Sequence, residues 1–286
     1  NRASAYSRMQ VWDADSNAGI QFDADDAGVD QLGYIIENEL IINALHDFLK
    51  QYDNVVIHAG QALDSLQRDA GINHMGLKSM DLKHTRVNES SLSAALLIGA
   101  DGQYSAVRQL AKMPVSRGRF DQTALVCRIQ TAQPHQQTAY QCFHEHGPIA
   151  YLPLADGSSS IVWSCDTAIA SRLQQLDDTA FARQVEQALQ SRLGTVEILG
   201  PRAGFALAQQ HAEYYVEPGL ALIGDAAHRT HPLAGLGANL GLLDAATLSE
   251  VINGAISRQR HIHSRATLRQ YERIRQPHNA LMLDVM

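Results

Sequence analysis

The segment from residue 219 to residue 241 constrains the fold of this chain more than any other part of the sequence. Residues 220–223 form a short apolar run bounded by Gly219 and Gly224, which is typical of a buried strand. Asp225 follows at the carboxyl end of that strand, where open α/β sheets bind their ligands. Because a carboxylate only accepts hydrogen bonds, Asp225 suits the hydroxyl groups of a sugar or sugar alcohol.

The residues after this strand predict a glycine-rich turn that leads into a helix. Gly235 and Gly237 lack a Cβ atom, so a flat molecule can approach the backbone closely. Asn239 can cap a helix that continues through residues 240–248. The N-terminus of that helix would favour negative charge on whatever lies in front of it.

A second strand–Gly–Asp segment occurs earlier, at residues 96–108. Its apolar run leads into Asp101 and Gly102, Ser105 stands at a predicted helix start, and Arg108 follows one turn later. Taken alone, this segment is also compatible with an ordinary strand–turn–helix connection capped by a serine. The later segment is likewise compatible with a purely structural turn. Two such segments in one chain favour a binding function.

Composition narrows the class of protein. The chain has 286 residues, of which 45% are hydrophobic and 19% are charged, as in an ordinary soluble globular protein. A net charge of -7 without a dense Lys/Arg stripe argues against nucleic acid as a partner. The three cysteines are scattered, which fits a reducing compartment. No apolar run reaches the roughly 18 residues that a membrane-spanning helix requires.

The pattern along the chain predicts an α/β fold in which a nucleotide-type sheet is interleaved with an antiparallel β layer. Strands are predicted at residues 9–13, 20–23, 55–58, 76–87, 93–98, 124–131, 138–143, 149–154, 160–164, 196–199 and 204–208. Helices are predicted at residues 37–50, 106–111, 181–192, 238–257 and 266–283. Pro277 should kink or interrupt the last helix.

Both ends of the chain predict a longer protein. The dinucleotide fingerprint G-x-G-x-x-G is absent from the sequence. The start carries neither an initiator Met nor an opening strand, and residues 281–286 stop inside an apolar helical pattern. We therefore expect a βαβ unit before residue 1 and further helix after residue 286.

The two strand–Gly–Asp segments, in this order, resemble those of the flavin-dependent aromatic hydroxylases that use one Rossmann-like domain for FAD. Residues 101–108 are similar to that family's internal Asp-Gly motif, and residues 224–228 to its Gly-Asp motif. Residues 231–244 and 268–275, together with Glu37-Asn38, resemble the ubiquinone-biosynthesis branch more closely still. The resemblance covers essentially the whole chain.

This resemblance implies an incomplete Rossmann-like FAD-binding domain interleaved with a β-sheet substrate domain. The FAD-binding parts would be residues 1–8, 34–60 and 92–120, with the remainder and the C-terminal helices at residues 213–286. The substrate domain and its hairpins would be residues 9–33, 61–91 and 121–212.

The resemblance also implies which residues contact FAD. Asp225 would hold the ribityl hydroxyls, and the helix N-terminus after Gly237 would face the part of the flavin ring that carries negative charge when reduced. The full implied set is Gly224, Asp225, Pro232, Gly235, Leu236, Gly237, Ala238 and Asn239, with Asp101, Gly102 and Arg108 from the earlier segment. Tyr151, Pro153 and His231 are weaker candidates for lining a substrate pocket.

The implied activity is hydroxylation of the aromatic ring of a polyprenyl phenol or quinol in ubiquinone biosynthesis, with NAD(P)H or another donor as reductant. Because the cofactor carries the chemistry, no catalytic side chain is expected. We expect a cytoplasmic protein, and the lipophilic substrate implies peripheral association at the inner membrane or with a biosynthetic complex. Two alternatives stay open: a flavin enzyme acting on a soluble aromatic substrate, and a non-catalytic scaffold paralogue.

Two minor features are interpreted more simply. The histidine pairs His228/His231 and His144/His146 lack a third ligand, so we expect no metal centre. The polar residues of the last helix would by default form a solvated face with ion pairs between successive turns; they are Tyr271, Glu272, Arg273 and Arg275.

Overall fold

A computed structural model describes residues 2–16, 18–69, 72–79, 90–230 and 235–285. Its strands are β1 (Ser4–Tyr6), β2 (Arg8–Asp13), β3 (Gly19–Asp23), β4 (Gly33–Ile35), β5 (Gln61–Asp69), β6 (Ile72–Ser79), β7 (Ser90–Ala94), β8 (Leu97–Gly99), β9 (Val115–Thr131), β10 (Thr138–Phe143), β11 (Ile149–Pro153), β12 (Ser159–Asp166), β13 (Val196–Ile198), β14 (Ala203–Ala212), β15 (Val216–Glu217), β16 (Leu220–Leu222) and β17 (His228–Arg229). Its α-helices are α1 (Asn38–Leu49), α2 (Ala106–Leu110), α3 (Thr167–Gln175), α4 (Asp178–Ala188), α5 (Leu236–Ser257) and α6 (Arg265–Val285).

The chain divides into two compact units, each built from two separate stretches of sequence. Unit 1 comprises residues 1–56 and 121–207, and unit 2 comprises residues 57–120 and 208–286. Helices and mixed sheets occur together, so the predicted α/β class is confirmed.

Unit 1 is organised around a sheet in the order β9-β12-β11-β10-β2-β3, with β13 pairing with β9. The predicted hairpin is present, because β2 and β3 pair antiparallel. Neighbouring strands of the predicted β layer also pair antiparallel, whereas β10 and β2 run parallel. The alternating strand residues bury a core that includes Leu125, Ile149, Ile161 and Phe181 of α4.

Helix α1 was correctly predicted, but its apolar side is not buried within the described residues. None of its residues is buried, and the exposed ones include Ile42, Leu45 and Phe48. The strand predicted at residues 55–58 is wrong: these residues are irregular and exposed. A strand requires a hydrogen-bonded neighbour, and none of the described strands pairs with this stretch.

Unit 2 contains a three-stranded sheet in the order β15-β16-β8 and an antiparallel sheet in the order β5-β6-β7. Strands β16 and β8 are parallel, in the register Leu220 with Leu97 and Leu222 with Gly99. A Cβ added at Gly99 would lie 2.7 Å from Leu222 Cδ2, so this position admits only glycine at the observed spacing. Helices α5 and α6 pack together beside this sheet, and α6 continues through Pro277 without interruption.

Among the residues described, none of the helices combines the length and the apolar character needed to cross a membrane.

Candidate functional site

The two strand–Gly–Asp segments lie side by side in unit 2. Strands β8 and β16 are parallel neighbours, and the Ile223 N–H donates to the Gly99 carbonyl at 3.0 Å. Asp101 and Asp225 therefore follow the carboxyl ends of two adjacent strands. This edge of a parallel sheet is where α/β proteins bind ligands.

The carboxylate of Asp101 is occupied by its own chain. It accepts hydrogen bonds from the Ser105 hydroxyl and from the Val107 N–H at 3.1 Å. Ser105 caps α2 by accepting from the Arg108 N–H at 3.0 Å. A strand–turn–helix connection with a serine cap therefore accounts for these contacts. Contact of Asp101 or Gly102 with a cofactor stays a prediction.

The buried side chain of Arg108 connects the two strand–Gly–Asp segments. Its side chain is 1% exposed, and its guanidinium donates to the Ala226 carbonyl at 2.6 Å and to the Gln103 carbonyl at 2.8 Å. Burial, with the nearby charge of Arg117, lowers the pKa of Arg108, although an arginine with so high an ordinary pKa stays charged at neutral pH. Arg108 thus holds the turn that carries Asp225 against the first segment.

Replacing Arg108 with Met is expected to destabilise the protein by about 1–3 kcal/mol, because the buried Ala226 carbonyl and the partly buried Gln103 carbonyl lose their donor. Urea unfolding of the variant measures this loss. The matched control is Arg258→Met at the exposed end of α5, which should change stability by less than about 0.5 kcal/mol. Equal losses in the two variants would contradict the bridging role.

Asp225 is exposed, as Asp101 is, but the two carboxylates differ in their hydrogen bonds. It lies in the single turn of 3-10 helix at Gly224–Ala226, directly after β16. Within the described part of the chain, its carboxylate accepts no hydrogen bond. A donor group of a ligand can therefore meet it without displacing a protein contact.

Helix α5 packs against this turn and begins at Leu236, two residues earlier than predicted. Gly235 occupies the position before the helix with φ of +63°, a conformation that favours glycine, and it offers no capping side chain. Asn239 is therefore an exposed residue of the first turn, and its predicted capping role is wrong. Its neighbours Gly237 and Ala238 share the first turn, whereas His231 and Pro232 lie outside the described residues.

A buried polar network beneath the turn was not predicted. Asp244 of α5 is 0% exposed and accepts from the Gly224 N–H at 3.0 Å and from His228 Nε2 at 2.5 Å. Its other oxygen accepts from Arg275 Nε at 2.7 Å and from Asn279 Nδ2 at 3.2 Å. One carboxylate thus connects the backbone before Asp225 to helix α6.

Burial acts to raise the pKa of the Asp244 carboxyl, since a charge in the interior loses its hydration. The hydrogen bond and charge of His228, with contributions from Arg275 and the Gly224 N–H, outweigh this effect and hold the pKa below its ordinary value. Asp244 is therefore ionised at neutral pH and pairs with a buried guanidinium.

The solvated face predicted for the last helix is wrong for three of its four residues. Tyr271, Glu272 and Arg275 are buried, and only Arg273 is exposed. Tyr271 donates to the Leu222 carbonyl at 2.8 Å, and Glu272 accepts from the Tyr215 and Val216 N–H groups. The signal in the sequence was the helical spacing of Leu268, Tyr271, Arg275 and Asn279, which places them on one side of α6.

The weaker substrate-pocket candidates of unit 1 are buried. Tyr151 is 2% exposed within the core of that unit, and burial raises the pKa of its phenol. Pro153 is also buried. A pocket-lining role for either residue stays a prediction.

The residues at the end of β16 fit a flavin nucleotide. They provide an exposed acceptor for a polyol, a glycine in the left-handed region and a helix N-terminus without a capping side chain. Together with the parallel strands, these features define an α/β protein that binds a nucleotide cofactor. The chain belongs to the family described as an FAD binding domain, whose profile matches residues 36–285.

Comparison with curated proteins points to the same family. The chain is 35% identical to 3-demethoxyubiquinol 3-hydroxylase of Escherichia coli (strain K12) over 281 residues, covering 98% of this chain and 69% of the relative. It is 34% identical to the mitochondrial ubiquinone biosynthesis monooxygenase COQ6 of Danio rerio over 319 residues, covering 99% of this chain and 65% of the relative. The chain thus spans about two thirds of the length of these relatives. The predicted family is confirmed.

Solved structures support the fold. The structure of PqsL from P. aeruginosa in complex with 2-aminobenzoylacetate matches with a TM-score of 0.79 at 20% identity. The match covers 99% of this chain and 76% of the PqsL chain. The structure of p-nitrophenol 4-monooxygenase PnpA from Pseudomonas putida DLL-E4 matches with a TM-score of 0.77 at 17% identity. The match covers 99% of this chain and 72% of the PnpA chain.

Proposed function

We propose that this protein is part of an FAD-dependent monooxygenase that hydroxylates the aromatic ring of a polyprenylated phenol or quinol in ubiquinone synthesis. The family membership and the names of the curated relatives support the reaction class and the pathway. The observation that carries the proposal is the exposed carboxylate of Asp225 at the carboxyl end of β16, which accepts no hydrogen bond from the described residues.

The residues of the chain would act by binding and orientation. When bound, FAD supplies the oxygen-transfer chemistry, so no protein nucleophile is required. Asp225 would accept a hydrogen bond from a ribityl hydroxyl. The N–H groups at the start of α5, near Leu236 and Gly237, have no acceptor within the helix and would face the part of the cofactor that becomes negative on reduction.

We also infer that NAD(P)H is the reductant of the flavin. Tyr151 and Pro153 would line the substrate cavity. Asp101 and Gly102 would lie near the cofactor. A lipophilic substrate favours peripheral association with a membrane or with a biosynthetic complex, because such a substrate partitions into lipid.

Titration of the purified protein with FAD tests the proposal. We expect saturable binding with a shifted flavin absorbance, and a further shift when a prenylated phenol is added. An aromatic acid, the substrate class of the alternative hypothesis, should leave the spectrum unchanged. A protein that neither retains nor binds FAD would contradict the proposal, and a response to the acid alone would favour the alternative.

A further inference from the structure

We propose that Asp244 and Gly241 of α5 are positioning residues for the cofactor contact made by Asp225. Neither residue contacts the ligand in this proposal; both act on Gly224, the residue immediately before Asp225. The inference rests on the proposed function, because it concerns how the FAD-binding carboxylate is oriented.

The first contact fixes the backbone N–H of Gly224. The Asp244 carboxylate accepts that N–H at 3.0 Å, and the same oxygen accepts from His228 Nε2 at 2.5 Å. Its other oxygen is held by Arg275 and Asn279. A carboxylate with four donors around it cannot rotate freely, so the N–H of Gly224 has one defined direction.

The second contact fixes the Cα atom of Gly224. A Cβ added at Gly241 would lie 3.3 Å from Gly224 Cα, and one added at Gly224 would lie 3.6 Å from Gly241 Cα. The helix and the turn therefore approach through two bare backbones. Gly224 also has φ of +57°, a conformation that side-chain-bearing residues rarely adopt.

These two contacts determine where the next residue points. Asp225 itself is exposed and makes no hydrogen bond of its own within the described residues. The direction of its Cα–Cβ bond is therefore set by the backbone of Gly224, and so by helix α5. In metal sites, removing a group that orients a ligating residue weakens affinity by about 10–100-fold, and we expect an effect toward the lower end of that range here.

A matched pair of glycine substitutions in α5 tests the second contact. Gly241→Ala should displace Gly224 and weaken FAD binding by about tenfold. Gly254→Ala gains the same helix propensity, but its Cβ would meet only Arg258 Nη1 at 3.8 Å, so the dissociation constant should be unchanged. Equal FAD affinities of the two variants would overturn the proposal.

A matched pair of buried carboxylates tests the first contact. Asp244→Asn and Glu272→Gln each remove the negative charge of a buried carboxylate that accepts backbone N–H groups. Asp244 accepts the N–H of Gly224, just after β16. Glu272 accepts the N–H groups of Tyr215 and Val216, at the start of β15. Both variants should be less stable. Only Asp244→Asn should weaken FAD binding, and a parallel loss in Glu272→Gln would reveal a merely structural role.

Amide hydrogen exchange separates failure of this inference from failure of the proposed function. It is measured without FAD, in the wild type and in the same variants. Asp244→Asn and Gly241→Ala should accelerate exchange at Gly224, whereas Glu272→Gln should accelerate it at Tyr215. If the wild type binds no FAD, the proposed function fails. Unchanged exchange at Gly224 in the variants would separately overturn the positioning role of Asp244 and Gly241. If Asp244→Asn does not fold, Gly241→Ala decides the outcome.

Discussion

Replacing Asp225 with Ala is expected to weaken FAD binding by roughly 10- to 100-fold while leaving the fold intact. A hydrogen bond to a charged group contributes about 1.5–3 kcal/mol, which corresponds to this change in the dissociation constant. Because Asp225 is exposed and contributes no hydrogen bond among the described residues, its removal should change stability by less than about 0.5 kcal/mol. Fluorescence titration with FAD and urea unfolding measure the two quantities separately.

The control for this variant is Glu250→Ala. Glu250 is an exposed carboxylate on α5, so its removal changes net charge by the same amount without touching the turn. If both variants bind FAD as tightly as the wild type, Asp225 does not hold the ribityl chain. If both weaken binding equally, the effect is one of net charge alone.

The largest effect on stability is expected for Arg275→Met. This substitution leaves the buried Asp244 carboxylate without its guanidinium partner, and breaking a buried pair in this way costs about 3–5 kcal/mol. Arg273→Met is a close control, because Arg273 lies two residues away on the same helix but is exposed. Urea unfolding should show a large shift for the first variant and little change for the second. A shift of equal size in both would mean that the Asp244–Arg275 pair does not stabilise unit 2.

The same ion pair predicts a pH dependence of stability. The pKa of Asp244 in the folded protein lies below its ordinary value of about 3.9, so the folded state binds the proton less readily than the unfolded chain. Its stabilising contribution is therefore complete above about pH 4–5 and is lost as pH falls through the lowered pKa. Unfolding free energy measured from neutral to acidic pH should fall more steeply in the wild type than in Asp244→Asn. Parallel profiles would contradict the assigned pKa direction.

Local patterns predicted much of the fold. The β-strands of unit 1 were recognisable because their residues alternate between the core and the opposite face, as Leu125, Cys127 and Ile129 do in β9. Helix α1 was recognisable from its apolar spacing even though that side is exposed here. The strand predicted at residues 55–58 failed, because an apolar run shows burial propensity but cannot show whether a neighbouring strand is present to pair with it.

The sequence alone predicted the family, through a resemblance of two local segments, and the α/β class. It also singled out Asp225 as the proposed cofactor ligand, because a strand bounded by glycines and ended by a carboxylate is a local pattern that a linear chain displays in full. The tertiary structure decided how the two strand–Gly–Asp segments differ: the Asp101 carboxylate accepts hydrogen bonds from Ser105 and Val107, whereas that of Asp225 accepts none from the described residues. It also decided that Asp244 and Arg275, 31 residues apart, form a buried pair beneath Gly224. Charged side chains are exposed by default, and burial becomes favourable only when folding brings compensating partners together, which no local pattern specifies.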